Sequence, residues 1–211
     1  MLSQNRAEEA INAGFFEREI DPVTLPDGST VNTDDGPRAG TTYEKVSQLK
    51  PVFRPDGTIT AGNACPLNDG AAALVIMSDS KAKQLGLTPL ARVVATAATG
   101  LSPEIMGLGP IEAIRKVLRI SGMSLSDIDL VEINEAFAVQ VLGSANELGI
   151  DHDKLNVSGG AIALGHPFGM TGARITTTLL NNLQTRDKTF GIESMCVGGG
   201  QGMAMVLERL S

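Results

Sequence analysis

Tryptophan is absent from this 211-residue chain and tyrosine occurs once, so the interior is expected to be aliphatic and rich in alanine. Two cysteines, Cys65 and Cys196, stand in unlike contexts. They are too few for a disulfide framework, and free thiols fit a reducing compartment. No run of Lys or Arg accompanies the net charge of −7, which argues against a nucleic-acid footprint while leaving room for an anionic ligand held by a few placed cations. No apolar stretch reaches the length of a membrane span, and the N-terminus has no signal-peptide character. A cytoplasmic protein bound to neither membrane nor nucleic acid is therefore expected. The cysteines and two histidines are too few and too far apart for a zinc signature. The acidic run Thr33-Asp34-Asp35 reads as solvated loop rather than as metal ligands.

What is present suits an α/β protein. The chain is long enough for a real core, its apolar fraction is 42%, and its 24 glycines serve many tight turns. Residues 3–13 read as a polar helix with Ser3 as cap and Gly14 as stop. Residues 20–40 read as irregular with short strands, and Thr41-Thr42-Tyr43-Glu44 has capping-box spacing for a short helix through Leu49. Regular alternation begins at Asp69. Strands are expected at 71–78, 91–99, 129–133, 190–197 and 201–208. Helices are expected at 79–86, 110–121, 136–148 and 171–183, the second opening on Pro110 and closing at Gly122. This order makes a layered α/β domain.

Three polar clusters occupy the last eighty residues: Asn134-Glu135-Ala136-Phe137-Ala138, Gly165-His166-Pro167 and Cys196-Val197-Gly198-Gly199-Gly200. Amide, imidazole and thiol are the groups that acyl-thioester chemistry requires. A thiol acts as base or nucleophile once its proton is held elsewhere, and an imidazole can hold it. An amide with glycine N–H groups can stabilise an oxyanion. Each cluster also has a plainer explanation. Asn134 could cap the helix that follows it, His166 could be a structural turn residue, and Cys196 could pack as a small hydrophobe. The glycine run lacks the Lys-Ser/Thr ending of a phosphate loop. Cys65 precedes an expected helix start, but no base or orienting group accompanies it in sequence. His152, in Ile150-Asp151-His152-Asp153, reads as a solvated loop residue.

Taken together these motifs resemble the thiolase family. The resemblance extends through Gly159-Gly160-Ala161-Ile162-Ala163-Leu164, Thr58-Ile59-Thr60-Ala61-Gly62-Asn63-Ala64, Asn68-Asp69-Gly70-Ala71-Ala72 and Met106-Gly107-Leu108-Gly109-Pro110, and so covers essentially the whole chain. It implies a layered half-domain with a mixed five-stranded sheet and helices on both faces, preceded by part of an irregular loop domain. The implied division is a loop-domain and CoA-covering segment at 1–68, the last strand and helix of an N-terminal half at 69–88, and the C-terminal domain at 89–211. The implied enzyme is an acetyl-CoA acyltransferase that uses coenzyme A as substrate and needs no further cofactor or metal. Cys196 resembles the acid/base thiol, and His166 the imidazole that activates a nucleophilic cysteine. Asn134 resembles the amide that holds an oxyanion-hole water, and Gly198 N–H half of a second hole. Arg38 resembles a contact to the nucleotide end of CoA. Phe53, Ala61, Cys65, Met106 and Phe137 resemble the pantetheine and acyl tunnel.

Cys65 stands where many family members have serine, and Pro66 alters the backbone beside it. The chain also begins midway through the family pattern. The first half-domain with its acyl-accepting cysteine is therefore expected as a partner, covalent or separate, and a homodimer or homotetramer as the assembly. An apolar patch is expected on helices 110–121 and 171–183. A non-catalytic CoA-binding or assembly module is the alternative from another class. A ketoacyl-synthase-like condensing enzyme fits less well, because such sites usually present two histidines. Phe168 resembles the form seen in long-chain degradative thiolases, which favours 3-ketoacyl-CoA cleavage.

Overall fold

The computed structural model describes the whole chain, Met1–Ser211. In chain order its elements are α1 (Leu2–Asn12), β1 (Val23–Thr24), β2 (Thr30–Val31), α2 (Tyr43–Ser47), α3 (Asp79–Leu85), β3 (Ala91–Gly100), α4 (Gly109–Ser121), β4 (Leu130–Ile133), α5 (Ala138–Leu148), α6 (Ala161–Leu164), α7 (Thr171–Thr185), β5 (Phe190–Val197) and β6 (Gln201–Arg209). Short 3₁₀ turns at Phe15–Arg18, Pro103–Leu108 and Leu125–Asp127 connect them. No helix is long and apolar enough to cross a membrane.

The main sheet has four strands in the order β3-β6-β5-β4. β4 and β5 run parallel, while β5–β6 and β6–β3 are antiparallel. Alternation along each strand sends side chains to opposite faces. Val131, Ile133, Ile192, Ala204 and Val206 join Ile114, Val117, Val141 and Ala145 in one core beneath α4 and α5. Leu130 and Leu207 join Leu179 and Leu183 in a smaller core beneath α7. The helices thus cover both faces. α4 forms because Pro110 begins it, apolar residues recur on one face, and Gly122 in the left-handed conformation (φ 70°) closes it.

Three expectations need correction. The sheet has four strands, not five: residues 71–78 are neither helix nor strand, and Val75 and Ile76 are 86% and 77% exposed. A strand exists only where a neighbour takes up its backbone hydrogen bonds, and this apolar run has none. The patch expected on the two long helices is also absent, since Ile111, Ile114, Val117, Ile175, Leu179 and Leu183 are buried. Their periodicity marks packing against the sheet. Lastly, both N-terminal caps move. Thr42, not Thr41, accepts the Lys45 N–H at the start of α2. Ser3 caps nothing; its hydroxyl donates to Glu135 at 2.6 Å.

Residues 1–20 do not stand apart from the C-terminal layers. α1 packs on α6, and Ala10, Phe15 and Phe16 form a small core with Ile20 and Leu164 alongside. Glu19 accepts hydrogen bonds from Thr178 and Asn181 of α7 at 2.8 and 2.9 Å. This face of the sheet carries buried acids. Burial raises the Glu132 pKa from 4.5 to about 8, against the opposing pull of Arg174, and raises that of Glu193 to about 7. Between pH 4.5 and about 8 the folded chain keeps a proton on Glu132 that the unfolded chain has released. Folding stability must fall as pH rises through that window. At ~1.4 kcal/mol per pKa unit the loss amounts to a few kcal/mol. Urea unfolding from pH 5 to pH 8.5 should show the decline, and Glu132→Gln should reduce it, leaving the part that Glu193 contributes. A wild-type profile that is level over this range would rule out the buried protonated acid.

Candidate active site

β4 and β5 are parallel, so their carboxyl ends lie on the same rim of the sheet, where ligands collect in α/β folds. Asn134 is the first residue beyond β4, and its N–H donates to Ser194 O of β5 at 3.0 Å. Cys196 lies two residues further along β5. α7 immediately precedes β5 and packs against it. The loop leading into its N-terminus, which carries His166, therefore returns to the same rim. The topology brings amide, thiol and imidazole toward one rim from three elements distant in sequence.

Asn134 is not a helix cap. Phe137 occupies the N-cap position of α5, and the Asn134 side chain is buried with neither its oxygen nor its nitrogen hydrogen-bonded. A buried amide without partners costs about 1–3 kcal/mol, so a capping or packing role does not explain it. The arrangement suits an amide held ready for a water or a carbonyl oxygen.

His166 sits half-buried between a strained turn and α7. Gly165 adopts φ 93°, where a side chain would run into Asn68. Asn68 Oδ1 accepts the His166 backbone N–H at 3.2 Å, and the ring of Phe168 lies edge-on to the imidazole at 4.9 Å. These residues line a cleft of ≈ 370 Å³ with Leu67, Asp69 and Pro167. Burial, helped by the positive charge of Arg174, lowers the His166 pKa. A neutral imidazole able to accept a proton is thereby favoured.

Cys196 is buried at the end of β5, and burial raises its thiol pKa. The glycines after it divide in function. Gly200 has φ 89° and its Cα packs against the Leu101–Pro103 backbone, so geometry alone requires glycine there. At exposed Gly198 an added Cβ would meet nothing. Packing gives no reason for glycine at that position, whereas close approach of a ligand does.

Cys65 lies on a segment laid antiparallel against the start of α5: its N–H donates to Ala136 O at 3.0 Å, and Ala138 N–H to Asn63 O at 2.9 Å. No helix begins after it, so no helix N-terminus lowers its pKa. Burial instead raises it, with the nearby Glu135 carboxylate adding to the effect. Arg38, Ala61 and Cys65 line one cleft of ≈ 640 Å³, with Lys45 and Ile162 among the other walls. The Arg38 side chain is exposed there, while its backbone N–H donates to Gln4. Phe53 and Phe137 pair edge to face at 6.0 Å. Met106, half-buried on the 103–108 turn, is not among the cleft's walls. The tunnel residues are thus only partly brought together. His152 is exposed, as expected of a loop residue.

Glu135 and Asn68 were not singled out by sequence. Glu135 accepts from Ser3, Asn156 and Ile162 N–H at 2.6, 3.0 and 3.1 Å, tying α1 and the loop before His166 to the end of β4. Its partners are 132, 21 and 27 residues away, so no local pattern announces it.

A thiol, an imidazole and an unsatisfied amide thus lie toward one rim of a layered α/β sheet. The comparisons narrow the class: residues 87–209 match the model described as "Thiolase, C-terminal domain" and residues 1–80 that described as "Thiolase, N-terminal domain". The chain belongs to the thiolase family. It is 52% identical over 212 aligned residues to the acetyl-CoA acetyltransferase of Escherichia coli (strain K12), with 99% of this chain and 54% of that protein covered. The crystal structure of the Bacillus anthracis acetyl-CoA acetyltransferase superposes with a TM-score of 0.96 at 50% identity, over 99% of this chain and 54% of that one. Human mitochondrial 3-ketoacyl-CoA thiolase gives 0.92 at 44% identity, over 99% and 54%. The chain therefore spans about half the length of the relatives it matches. One expectation is overturned: N-terminal-domain sequence is present within residues 1–80, so the N-terminal half is not a partner wholly outside this chain.

Because burial pushes both thiols above their ordinary range, iodoacetamide should react slowly at pH 7 and faster as rising pH increases the thiolate fraction. Half-buried Cys65 should label before Cys196. Intact-mass spectra over time will check the order, and rapid labelling of Cys196 at pH 7 would contradict it.

Proposed function

We propose that this chain carries the acid/base part of thiolase chemistry, acyl transfer between acyl-CoA and coenzyme A by reversible Claisen condensation and thiolysis. The unsatisfied buried amide of Asn134, on the rim it shares with Cys196 and His166, is the observation that carries this reading. Cys196 removes or returns the α-proton of a bound acetyl thioester. Asn134, through a water, and Gly198 N–H stabilise the oxygen that becomes negative. Neutral His166 accepts a thiol proton. Arg38 engages a phosphate at the nucleotide end of CoA, where a planar guanidinium is well suited, and Ala61 and Cys65 border the pantetheine arm. Phe53, Phe137 and Met106 are assigned to the acyl side. The names of the relatives at about half identity support acetyl-CoA as the acyl donor, and exposed Phe168 beside His166 supports cleavage of 3-ketoacyl-CoA. The corresponding division of the chain is 1–68 over the CoA, 69–88 as a connecting segment and 89–211 as the catalytic layer.

Neither cysteine qualifies as the acyl-accepting nucleophile. Cys65 has a raised pKa, an acid for a neighbour and no base, and Cys196 is committed to proton transfer. Covalent acyl transfer needs such a nucleophile, so the 211-residue polypeptide should bind acetyl-CoA without cleaving acetoacetyl-CoA. It should wash deuterium into the methyl group of acetyl-CoA. Cys196→Ala should abolish that exchange, and Asn134→Ala should slow it ~10²–10³-fold with little change in Kd. NMR of the acetyl methyl signal measures the exchange and calorimetry the affinity. If Cys196→Ala exchanges at the parental rate, the base lies elsewhere. Robust thiolysis with acylation of Cys65 would make Cys65 the nucleophile.

We also infer assembly into a homo-oligomer. Leu74, Val75, Ile76 and Met77 form an exposed apolar run, and surfaces of that kind drive association. Light scattering should give a mass above the 22.0 kDa monomer, reduced by Val75→Ser with Ile76→Ser. A monomer at high concentration would exclude it.

A further inference from the structure

Thr171 belongs to none of the motifs above, yet it is fully buried in the first turn of α7, facing the imidazole. His166 Nδ1 lies 2.6 Å from Thr171 Oγ1. Thr171 Oγ1 in turn lies 2.9 Å from Pro167 O, to which it donates. A hydroxyl has one proton to give. The carbonyl oxygen of Pro167 can only accept, so the hydroxyl proton belongs on that contact. The short contact to His166 is then satisfied only if the imidazole is the donor. Pro167 O also accepts the Met170 and Thr171 backbone N–H groups at 2.9 and 3.1 Å, but were Thr171 to donate to Nδ1 instead, the hydroxyl and carbonyl oxygens would still face each other across 2.9 Å with no proton between them.

From this proton count we infer that Thr171 is a positioning residue that sets the tautomer of His166: it holds the proton on Nδ1 and leaves the Nε2 lone pair free as the acceptor. The direction of each bond follows from the requirement that both contacts be satisfied. The ring is fixed on its remaining sides. Asn68 holds the His166 backbone N–H, Gly165 provides the turn, and Phe168 packs on the ring. The consequence for catalysis rests on the acyl-transfer reading above. When a thiol gives up its proton, the S–H bond breaks and its electron pair stays on sulfur. Nε2 binds the proton, and the resulting imidazolium keeps its Nδ1–H bond to Thr171. With the opposite tautomer, Nε2 would already carry a proton and could accept none.

The test reads the tautomer directly. In the 211-residue chain with ¹⁵N-labelled histidine, two-bond ¹H–¹⁵N spectra at pH 8 distinguish Nδ1–H from Nε2–H. His152→Asn assigns the signals, since the chain has only two histidines. Wild type should show His166 protonated at Nδ1. Thr171→Val, which keeps the shape and loses the oxygen, should shift the tautomer ratio about tenfold or more toward Nε2–H, the change expected from losing one hydrogen bond. Thr171→Ser should restore it. Unchanged His152 and backbone amide signals certify the fold of each variant. Wild-type protein showing Nε2–H overturns the inference even if the valine variant does not fold, as does a valine variant with the wild-type ratio. Acetyl-CoA deuterium exchange should fall in Thr171→Val at constant Kd and recover in Thr171→Ser. Loss of exchange in every form, wild type included, with the tautomers as expected would count against the acyl-transfer reading and leave the role of Thr171 standing.

Discussion

The parallel pairing of β4 with β5 is the contact on which the site depends. Its register sets Ile133 beside Ser194 and ends with the Asn134 N–H on the Ser194 carbonyl. Asn134 and Cys196 meet on one rim because both strands run the same way; antiparallel strands would send them to opposite ends. α7 feeds directly into β5, so its N-terminal turn must return to the rim where β5 finishes. Three chemistries scattered over about sixty residues of sequence share one edge for that reason. The packing that enforces it is aliphatic on both faces of the sheet.

Polar groups buried around this rim fall into two kinds. Glu135 is saturated: hydroxyl, amide and backbone donors surround its carboxylate, and it locks α1 and the loop before His166 to β4. Asn134, one residue earlier, is equally buried and has no partner. Adjacent residues thus divide the work, one holding the backbone in place and the other presenting unused hydrogen-bonding capacity. Buried polar groups are as a rule hydrogen-bonded, so an amide left without a partner calls for an explanation.

The two cysteines contrast in the same way. Cys196 is buried and Cys65 half-buried, and in both burial raises the thiol pKa. Cys196 is followed by a glycine run open to close approach, whereas Cys65 is pinned by its backbone to Ala136 and borders the Arg38 cleft. A thiol of raised pKa is a competent proton carrier when its partner is formed only during reaction, and a poor nucleophile at rest.

Much was legible before the fold was known. Apolar periodicity located α4, α5, α7, β3, β5 and β6 to within about two residues, because those elements bury one face or stripe against a common core. Glycine and proline marked their ends, as at Pro110 and Gly122. The motifs around Asn134, His166 and Cys196 pointed to the family that the comparisons show. The run at 71–78 misled because apolar composition encodes a desire for burial, while a strand also needs a neighbour to complete its hydrogen bonds. Asn134 could be read equally as a cap, and only the position of Phe137 at the start of α5 excluded that. The roles of Glu135, Asn68 and Thr171 were illegible for a related reason: they lie in partners brought near by the turn at Gly165 or by packing across the chain. Sequence alone determined which elements form and which chemical groups are available, because both are local properties. Tertiary structure alone decided which of those groups are left unsatisfied, which are neutral and which face one another, because hydrogen-bond partnership and burial are properties of the assembled fold.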